Sequence, residues 1–348
     1  MAERLVALRG DASRAIGMGH LIRLHDLGRA LDAQGIAHIY ACTPETAPIL
    51  RTRGIAANRI ITADPAANWV SKHKITHVVA DIMWSGNVFA AAREVAALTA
   101  TRRPVTVIDS MPPDHFVTAP GTIAPACVVT PYLGAEHLRP APRTGDWAAG
   151  ADFAVMDDSY LTARTRVQPP LPRRVLVSCG GADPTGLSLR IAQALAPTDL
   201  PVDLVIGPLY PADTRNALAR MADDHRNLTL HGPQQGLSAL IESCGLVVGR
   251  IGLLRYQAAV LGRTGIYLFE GSEYRAYLEN FAAAGLAEVF FADPPEGSTP
   301  FLARLAALAD PAVQARLFTL NTAAMDAVHG NGAANVIDRI LQQEWTGA

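Results

Sequence analysis

The feature that most constrains this chain is an order of segments that occurs twice. Leu5-Val6-Ala7-Leu8 is a short apolar run, and residues 21–31 then set Leu21, Leu24, Leu27, Gly28 and Leu31 on one helical face. Arg174-Val175-Leu176-Val177-Ser178 opens the same order again. A glycine-rich turn over residues 179–186 follows it, and then a helix with Leu187, Ile191 and Leu195 in phase. Short apolar runs alternating with longer amphipathic ones are the pattern of parallel strands joined by crossover helices. Residues 38–42, 77–81 and 105–109 continue the strands in the first half, and residues 202–207, 228–230, 245–248 and 264–269 in the second. Helices read over residues 46–53, up to 258–262, and over 336–344 at the end. The runs 77–81 and 105–109 both finish on an aspartate, at the carboxyl edge where open α/β sheets place ligands.

Between residues 138 and 174 the alternation stops. Arg139-Pro140-Ala141-Pro142 and Pro169-Pro170-Leu171-Pro172 bracket a segment rich in turn residues. At 348 residues the chain has room for two domains of ordinary size. The expected architecture is α/β, with two Rossmann-like domains facing a central cleft. An N-terminal domain covers 1–145, a linker 146–173, a C-terminal nucleotide-binding domain 174–327, and a closing segment with its helix 328–348.

Composition removes several classes of function. With 30 basic and 32 acidic residues the net charge is -2, so there is no basic surface of the kind that binds nucleic acid. No run approaches the roughly 18 to 20 apolar residues that span a bilayer. The opening apolar run is too short for a signal peptide and reads as a first strand. Cys42, Cys127, Cys179 and Cys244 are widely spaced and form no CxxC pair, so buried free thiols are expected rather than disulfides or zinc. The chain reads as cytoplasmic. It contains no Asp-x-Asp, HExxH or GxSxG, which argues against a metal-bridged diphosphate, a zinc protease and a serine elbow.

Two constellations can carry chemistry. The first is Arg9-Gly10-Asp11-Ala12-Ser13 followed by Ile16-Gly17-Met18-Gly19-His20-Leu21-Ile22-Arg23. Gly17 and Gly19 let the backbone approach a ligand, and the N-terminal N–H groups of a helix favour an anion there. His20 opens the helix with an imidazole able to take a proton near neutral pH, and Arg23 is placed to steady a phosphate or carboxylate. The second is Ser178-Cys179-Gly180-Gly181-Ala182-Asp183-Pro184-Thr185-Gly186, a phosphate or ribose cradle by the same physics. It lacks a Walker lysine and is not GxGxxG. Motif shape alone leaves a plain strand–helix turn open in both places. Asp157-Asp158 reads as a solvated turn, and His25 as structural.

With these residues in view, the opening segment resembles that of the UDP-2,4-diacetamido-2,4,6-trideoxy-β-L-altropyranose hydrolases of the pseudaminic acid pathway. Arg9, Asp11, Ala12, Ser13, Ile16, Gly17, Gly19, His20 and Arg23 match their typical opening. The likeness continues at Leu133-Gly134-Ala135-Glu136, at residues 177–184 and at His329-Gly330-Asn331-Gly332-Ala333. It implies a GT-B-like fold and release of UDP from C1 with inversion, in nonulosonic acid biosynthesis. No metal and no cofactor is implied. His20 would be the general base. Asp11, Gly17, Gly19, Arg23, Asp81, Met83 and Glu273 would meet the sugar, while Gly180, Gly181, Asp183, Arg250, Gly252 and Gln257 would meet the nucleotide.

The chain departs from the family at named places. Ile251 replaces a glycine beside the phosphates, and Gln257 replaces the glutamate that grips the ribose. Arg250 or Arg255 could then pair with the diphosphate directly. Met83 stands where an aromatic is usual, with Trp84 beside it, and Glu273-Tyr274 replaces an Asn-Gln pair. Val155-Met156-Asp157-Asp158-Ser159-Tyr160 stands where the family has Leu-Leu-Arg-Pro-Glu-Phe. Three readings follow: a nucleotide-sugar hydrolase acting on a small-molecule substrate, a glycosyltransferase on the same scaffold, and a catalytically weakened sugar-nucleotide binding protein.

Overall fold

The computed structural model describes residues 4–82, 88–108, 125–137, 145–271, 275–293 and 296–343. Its strands form two sheets, each parallel throughout. The first runs in the order β3-β2-β1-β4-β5-β6-β7. Its members are β1 (Leu5–Gly10), β2 (Ala37–Cys42), β3 (Ile60–Thr62), β4 (His77–Asp81), β5 (Val105–Ile108), β6 (Cys127–Thr130) and β7 (Asp146–Ala149). The second runs β10-β9-β8-β11-β12-β13. It comprises β8 (Val175–Ser178), β9 (Val202–Val205), β10 (Leu228–His231), β11 (Leu246–Arg250), β12 (Thr264–Phe269) and β13 (Ala287–Phe291).

Helices cover both faces of a parallel sheet, so its inner strands are apolar along their length rather than alternating. Every residue of β4, β5, β8 and β9 is buried accordingly. Where a polar residue enters such a strand it is paired: Asp203 in β9 accepts from Arg174 at 2.9 Å and lies 2.7 Å from His231. The helix Gly19–Ala33 buries Leu21, Leu24, Leu27, Gly28 and Leu31, the face its spacing predicts. Gly28 is required there, because a Cβ would fall 2.1 Å from the Tyr40 hydroxyl.

The chain up to Asp157, together with the stretch from Gly330 on, makes one unit, and Asp158–His329 makes the other. Two expectations change here. Residues 146–149, assigned to the linker, are β7, an edge strand too short and mixed (Asp-Trp-Ala-Ala) to show an apolar run. The strands β3, β6 and β13 were likewise not read from the sequence. The terminal helix Gly332–Gln342 belongs to the first unit, where Asn335 donates to the Asp152 carbonyl at 2.7 Å and Arg339 pairs with Asp146 at 3.2 Å. Asp157 is not a solvated turn residue: its carboxylate is buried and pairs with Arg29 at 2.5 Å.

All four cysteines are free and buried. Among the described residues no helix is long and apolar enough to cross a membrane, and no three His, Cys, Asp or Glu residues gather as a metal site would require.

The second sheet depends on close backbone approach. A Cβ on Gly249 in β11 would stand 1.9 Å from the Ser178 carbonyl of β8, and one on Gly207 would stand 2.5 Å from the Gly180 carbonyl. Neither neighbour is a flexible side chain. Gly249→Ala is therefore expected to destabilise the second unit by about 1–3 kcal/mol, measured as an earlier denaturant midpoint. An unchanged midpoint would contradict the packing described.

Candidate active site

In each sheet the chain winds outward from one strand, then returns to that strand's other side and winds the opposite way. This reversal falls between β1 and β4 in the first sheet and between β8 and β11 in the second. Connections there leave in opposite directions and open a crevice at the carboxyl ends of the strands, where such sheets bind ligands. Register places Gly10 beside Asp81 at the first crevice and Ser178 beside Gly249 at the second. The two sequence constellations follow β1 and β8, so each stands at a reversal point.

After β1 the chain is pinned before it enters the helix. Asp11 accepts from the Thr43 N–H at 2.7 Å, the Thr46 hydroxyl at 3.1 Å and Arg9 at 2.6 Å. Arg9 also donates to Glu94 at 2.5 Å, from the helix Val88–Ala100. Burial pushes the Asp11 carboxyl up, but Arg9 and the Thr43 N–H outweigh it and hold the group below the usual carboxylate range. Gly17 then closes the loop, its N–H donating to the Ser13 carbonyl at 2.7 Å with φ at +80°. Side chains other than glycine rarely adopt that angle. Gly19 begins the helix, whose N-terminus has no side-chain cap.

His20 and Arg23 lie one turn apart on this helix and converge on Asp81. The His20 Nδ1 stands 2.6 Å from Asp81 Oδ1, while Arg23 donates to Oδ2 at 2.7 Å and to Oδ1 at 2.8 Å. Asp81 is fully buried. Burial alone raises its pKa, yet Arg23 and His20 prevail and keep the carboxyl below its ordinary value, so it is ionised at neutral pH. Donation to Asp81 requires the ring proton on Nδ1, which would leave Nε2 as the acceptor of the neutral ring; Arg23 Nη2 also lies 3.1 Å from that Nδ1. Of the phosphate or carboxylate that the sequence suggested for Arg23, the structure supplies a carboxylate from within the protein.

At the second crevice the loop after β8 is shaped by Gly180 and Gly186, with φ of +79° and +63°. Asp183 is buried and turned to the start of the helix Leu187–Leu195. Its carboxylate accepts from the Leu187 N–H at 2.9 Å and the Ser188 N–H at 3.0 Å, and also from the Ser188 hydroxyl. That helix N-terminus already has its anion, so Asp183 serves as a cap. Arg250, at the end of β11, pairs with Glu270 just beyond β12. Arg255 turns inward instead. It donates to the Gly252 carbonyl at 2.8 Å and lies 4.5 Å over the Tyr256 ring. Gln257 is buried on the same helix, Leu254–Val260.

The structure thus joins His20, Arg23 and Asp81 in one cluster of the first unit. Gly180, Gly181, Asp183, Arg250 and Gly252 lie along the β8–β11 edge of the second. Met83 and Glu273, and with them Trp84, Tyr274 and Asp109, lie outside the described residues. Sequence reasoning missed Glu94, Arg190 and Glu270. Glu270 carried a readable signal, since it directly follows an apolar strand at the carboxyl edge.

No protein-family model and no curated protein matches this chain. Solved structures do. Acinetobacter baumannii MurG aligns at a TM-score of 0.61 over 98% of this chain and 100% of that one, with 16% identity. A UDP-glucosyltransferase from Polygonum tinctorium aligns at 0.63 over 98% and 99%, with 12% identity. The UDP-GlcNAc 2-epimerase of Neisseria meningitidis, bound to UDP-GlcNAc, aligns at 0.55 over 98% and 100%, with 13% identity. At such identities the likeness is one of fold, and the fold is two-domain α/β of the GT-B type.

Proposed function

We propose that this chain is a nucleotide-sugar hydrolase with His20 as general base. The observation that carries the reading is the 2.6 Å contact between His20 and the buried, ionised Asp81 at the β1–β4 reversal point. A histidine oriented through Nδ1 by a carboxylate has Nε2 free to take a proton, and the carboxylate stabilises the imidazolium that forms. In the step proposed, a water oxygen bonds to C1 of the sugar and its proton passes to Nε2. The C1–O bond to the diphosphate breaks with its electron pair leaving on UDP, and the configuration at C1 inverts.

The motif likeness from Arg9 to Arg23 supports water as the nucleophile and a 2,4-diacetamido-2,4,6-trideoxyhexose, or a related sugar, as the glycosyl group. This would serve nonulosonic acid biosynthesis. UDP-sugars are also what two of the structural neighbours are named for, one bound to UDP-GlcNAc and one a UDP-glucosyltransferase. The nucleotide is assigned to the second domain, with Gly180, Gly181 and Gly252 letting its phosphates approach the backbone and Gln257 near the ribose. The free, buried cysteines fit a reducing, cytoplasmic setting.

The direct test is UDP release from a UDP-linked diacetamido-trideoxyhexose by the purified protein. Release without an acceptor supports the hydrolase. Release only when a sugar or lipid hydroxyl is supplied would make the chain a transferase instead. His20→Ala is expected to slow release by about 10²- to 10⁴-fold, and full turnover in that variant would remove the proposed mechanism.

Asp81→Asn tests the dyad through both activity and stability. It should lower kcat with little change in KM, since the amide no longer fixes the ring proton. Because the native carboxyl is held below its unfolded value, its contribution to stability is present above the ordinary aspartate range and is lost as pH falls through the native value. Asn removes the carboxylate charge that the buried Arg23 faces, a loss of about 3–5 kcal/mol at neutral pH. Melting curves from neutral to acid pH should therefore show a lower, flatter profile for the variant. A profile parallel to the wild type would refute the pairing.

A further inference from the structure

Glu270 gathers donors from three other elements of the second domain. Its carboxylate accepts from the Thr185 hydroxyl at 2.8 Å, from Arg190 Nη2 at 3.0 Å and from Arg250 Nη2. Thr185 belongs to the loop after β8, Arg190 to the helix Leu187–Leu195, and Arg250 to the end of β11. β8, β11 and β12 are neighbours in the sheet, so all of these groups meet at its reversal point. Arg190 is held further by the Ser298 hydroxyl, which its Nη1 reaches at 2.6 Å.

Two further observations indicate that this arrangement serves more than stability. The Nε atoms of Arg190 and Arg250 are both buried and have no hydrogen-bond partner among the described residues. A guanidinium turns all its N–H groups toward an acceptor where it can, so two arginines with unused donors beside one carboxylate are short of acceptor oxygens. The adjoining loop also leaves room: a Cβ on Gly180 or Gly252 would meet nothing within 4 Å. Asp183 already serves the neighbouring helix N-terminus, and among the described residues Arg190 and Arg250 are the cations that pair with Glu270. One carboxylate against two guanidinium groups leaves an excess positive charge. A diphosphate brings more charge and more acceptors than a carboxylate can.

We propose that Glu270 is an internal competitor for ligand diphosphate: it pairs with Arg190 and Arg250 and yields them to the phosphates of a bound nucleotide. Breaking these pairs opposes binding, so ligands with one phosphate or none gain little from the site, whereas a diphosphate displaces the carboxylate. Glu270 is then a specificity-determining residue. The identity of the ligand as a nucleoside diphosphate rests on the function proposed above; the competition itself does not.

The experiment is calorimetric titration of the full-length protein and its variants with inorganic pyrophosphate, UDP and uridine. Glu270→Gln keeps the length of the side chain and removes its charge. It should bind pyrophosphate and UDP about tenfold more tightly, the effect of relieving roughly one ion pair, with uridine affinity unchanged. Arg250→Gln should weaken both phosphate ligands. Glu270→Asp, whose shorter carboxylate reaches fewer of the donors, is a second variant should the amide fail to fold, and it too should bind more tightly. Equal or weaker diphosphate binding in a folded Glu270 variant would show that the carboxylate orients the arginines for the ligand, and would overturn the proposal. So would pyrophosphate binding to none of the proteins. If UDP binds the wild type while the Glu270 variants show no gain, the competition fails and the nucleotide reading survives. If pyrophosphate tightens in the variant while UDP binds no better than pyrophosphate, the competition holds and the nucleotide reading fails.

Discussion

A carboxylate with no access to solvent costs several kcal/mol to bury unless its charge is met at close range, and Asp81 sets that requirement at the end of a central strand. Both groups that meet it come from one helix, and from residues three apart, which share a face. The helix must therefore present a single rotation to the sheet. Its leucine face and the close approach of Gly28 to Tyr40 enforce that rotation from the opposite end. Core packing and the orientation of His20 are consequently one problem. A helix turned by a few tens of degrees would lose its apolar burial and strand the charge together.

The second domain follows the same topology with a different charge plan. In many strand–loop–helix turns the helix N-terminus is left for a ligand anion; here Asp183 occupies it. The attractive potential has moved outward to Arg190 and Arg250, where Glu270 partly cancels it. Glycines at positions 207 and 249 keep the loop and the strands close enough for these side chains to meet. The two reversal points are thus alike in backbone and unlike in their charged groups, one joining His20 and Arg23 to Asp81 and the other joining Arg190 and Arg250 to Glu270.

Much of the architecture was legible because parallel strands covered on both faces must be apolar end to end, and helices over them must repeat their leucines. β3, β7 and β13 broke that rule at sheet edges, where burial is partial, and the buried inner strand β6 went unread because four residues are too few to show a pattern. The glycine loops were legible for their backbone angles. The partners of polar residues were not. Asp81 finds His20 across 61 positions and Arg23 across 58, and no local pattern encodes such a meeting. For the same reason Arg23 and Asp183 looked like ligand contacts. A charged residue in a glycine loop reads identically whether its partner is a substrate or another part of the chain. Asp157 looked solvated because nothing in its own segment announces Arg29.

The return of the chain to the first domain bears on how the protein is made. The terminal helix closes against the segment before the crossing, where a Cβ on Gly332 would lie 2.1 Å from the Ala154 carbonyl. In topological terms the second domain is an insertion in the first, entered after Asp157 and left before Gly330. During synthesis the inserted domain is complete while the outer one still lacks its last helix. The helix Gly332–Gln342 reaches the first unit only after the whole of the second has been made, so the sheet that carries His20 waits on a segment that follows the inserted domain.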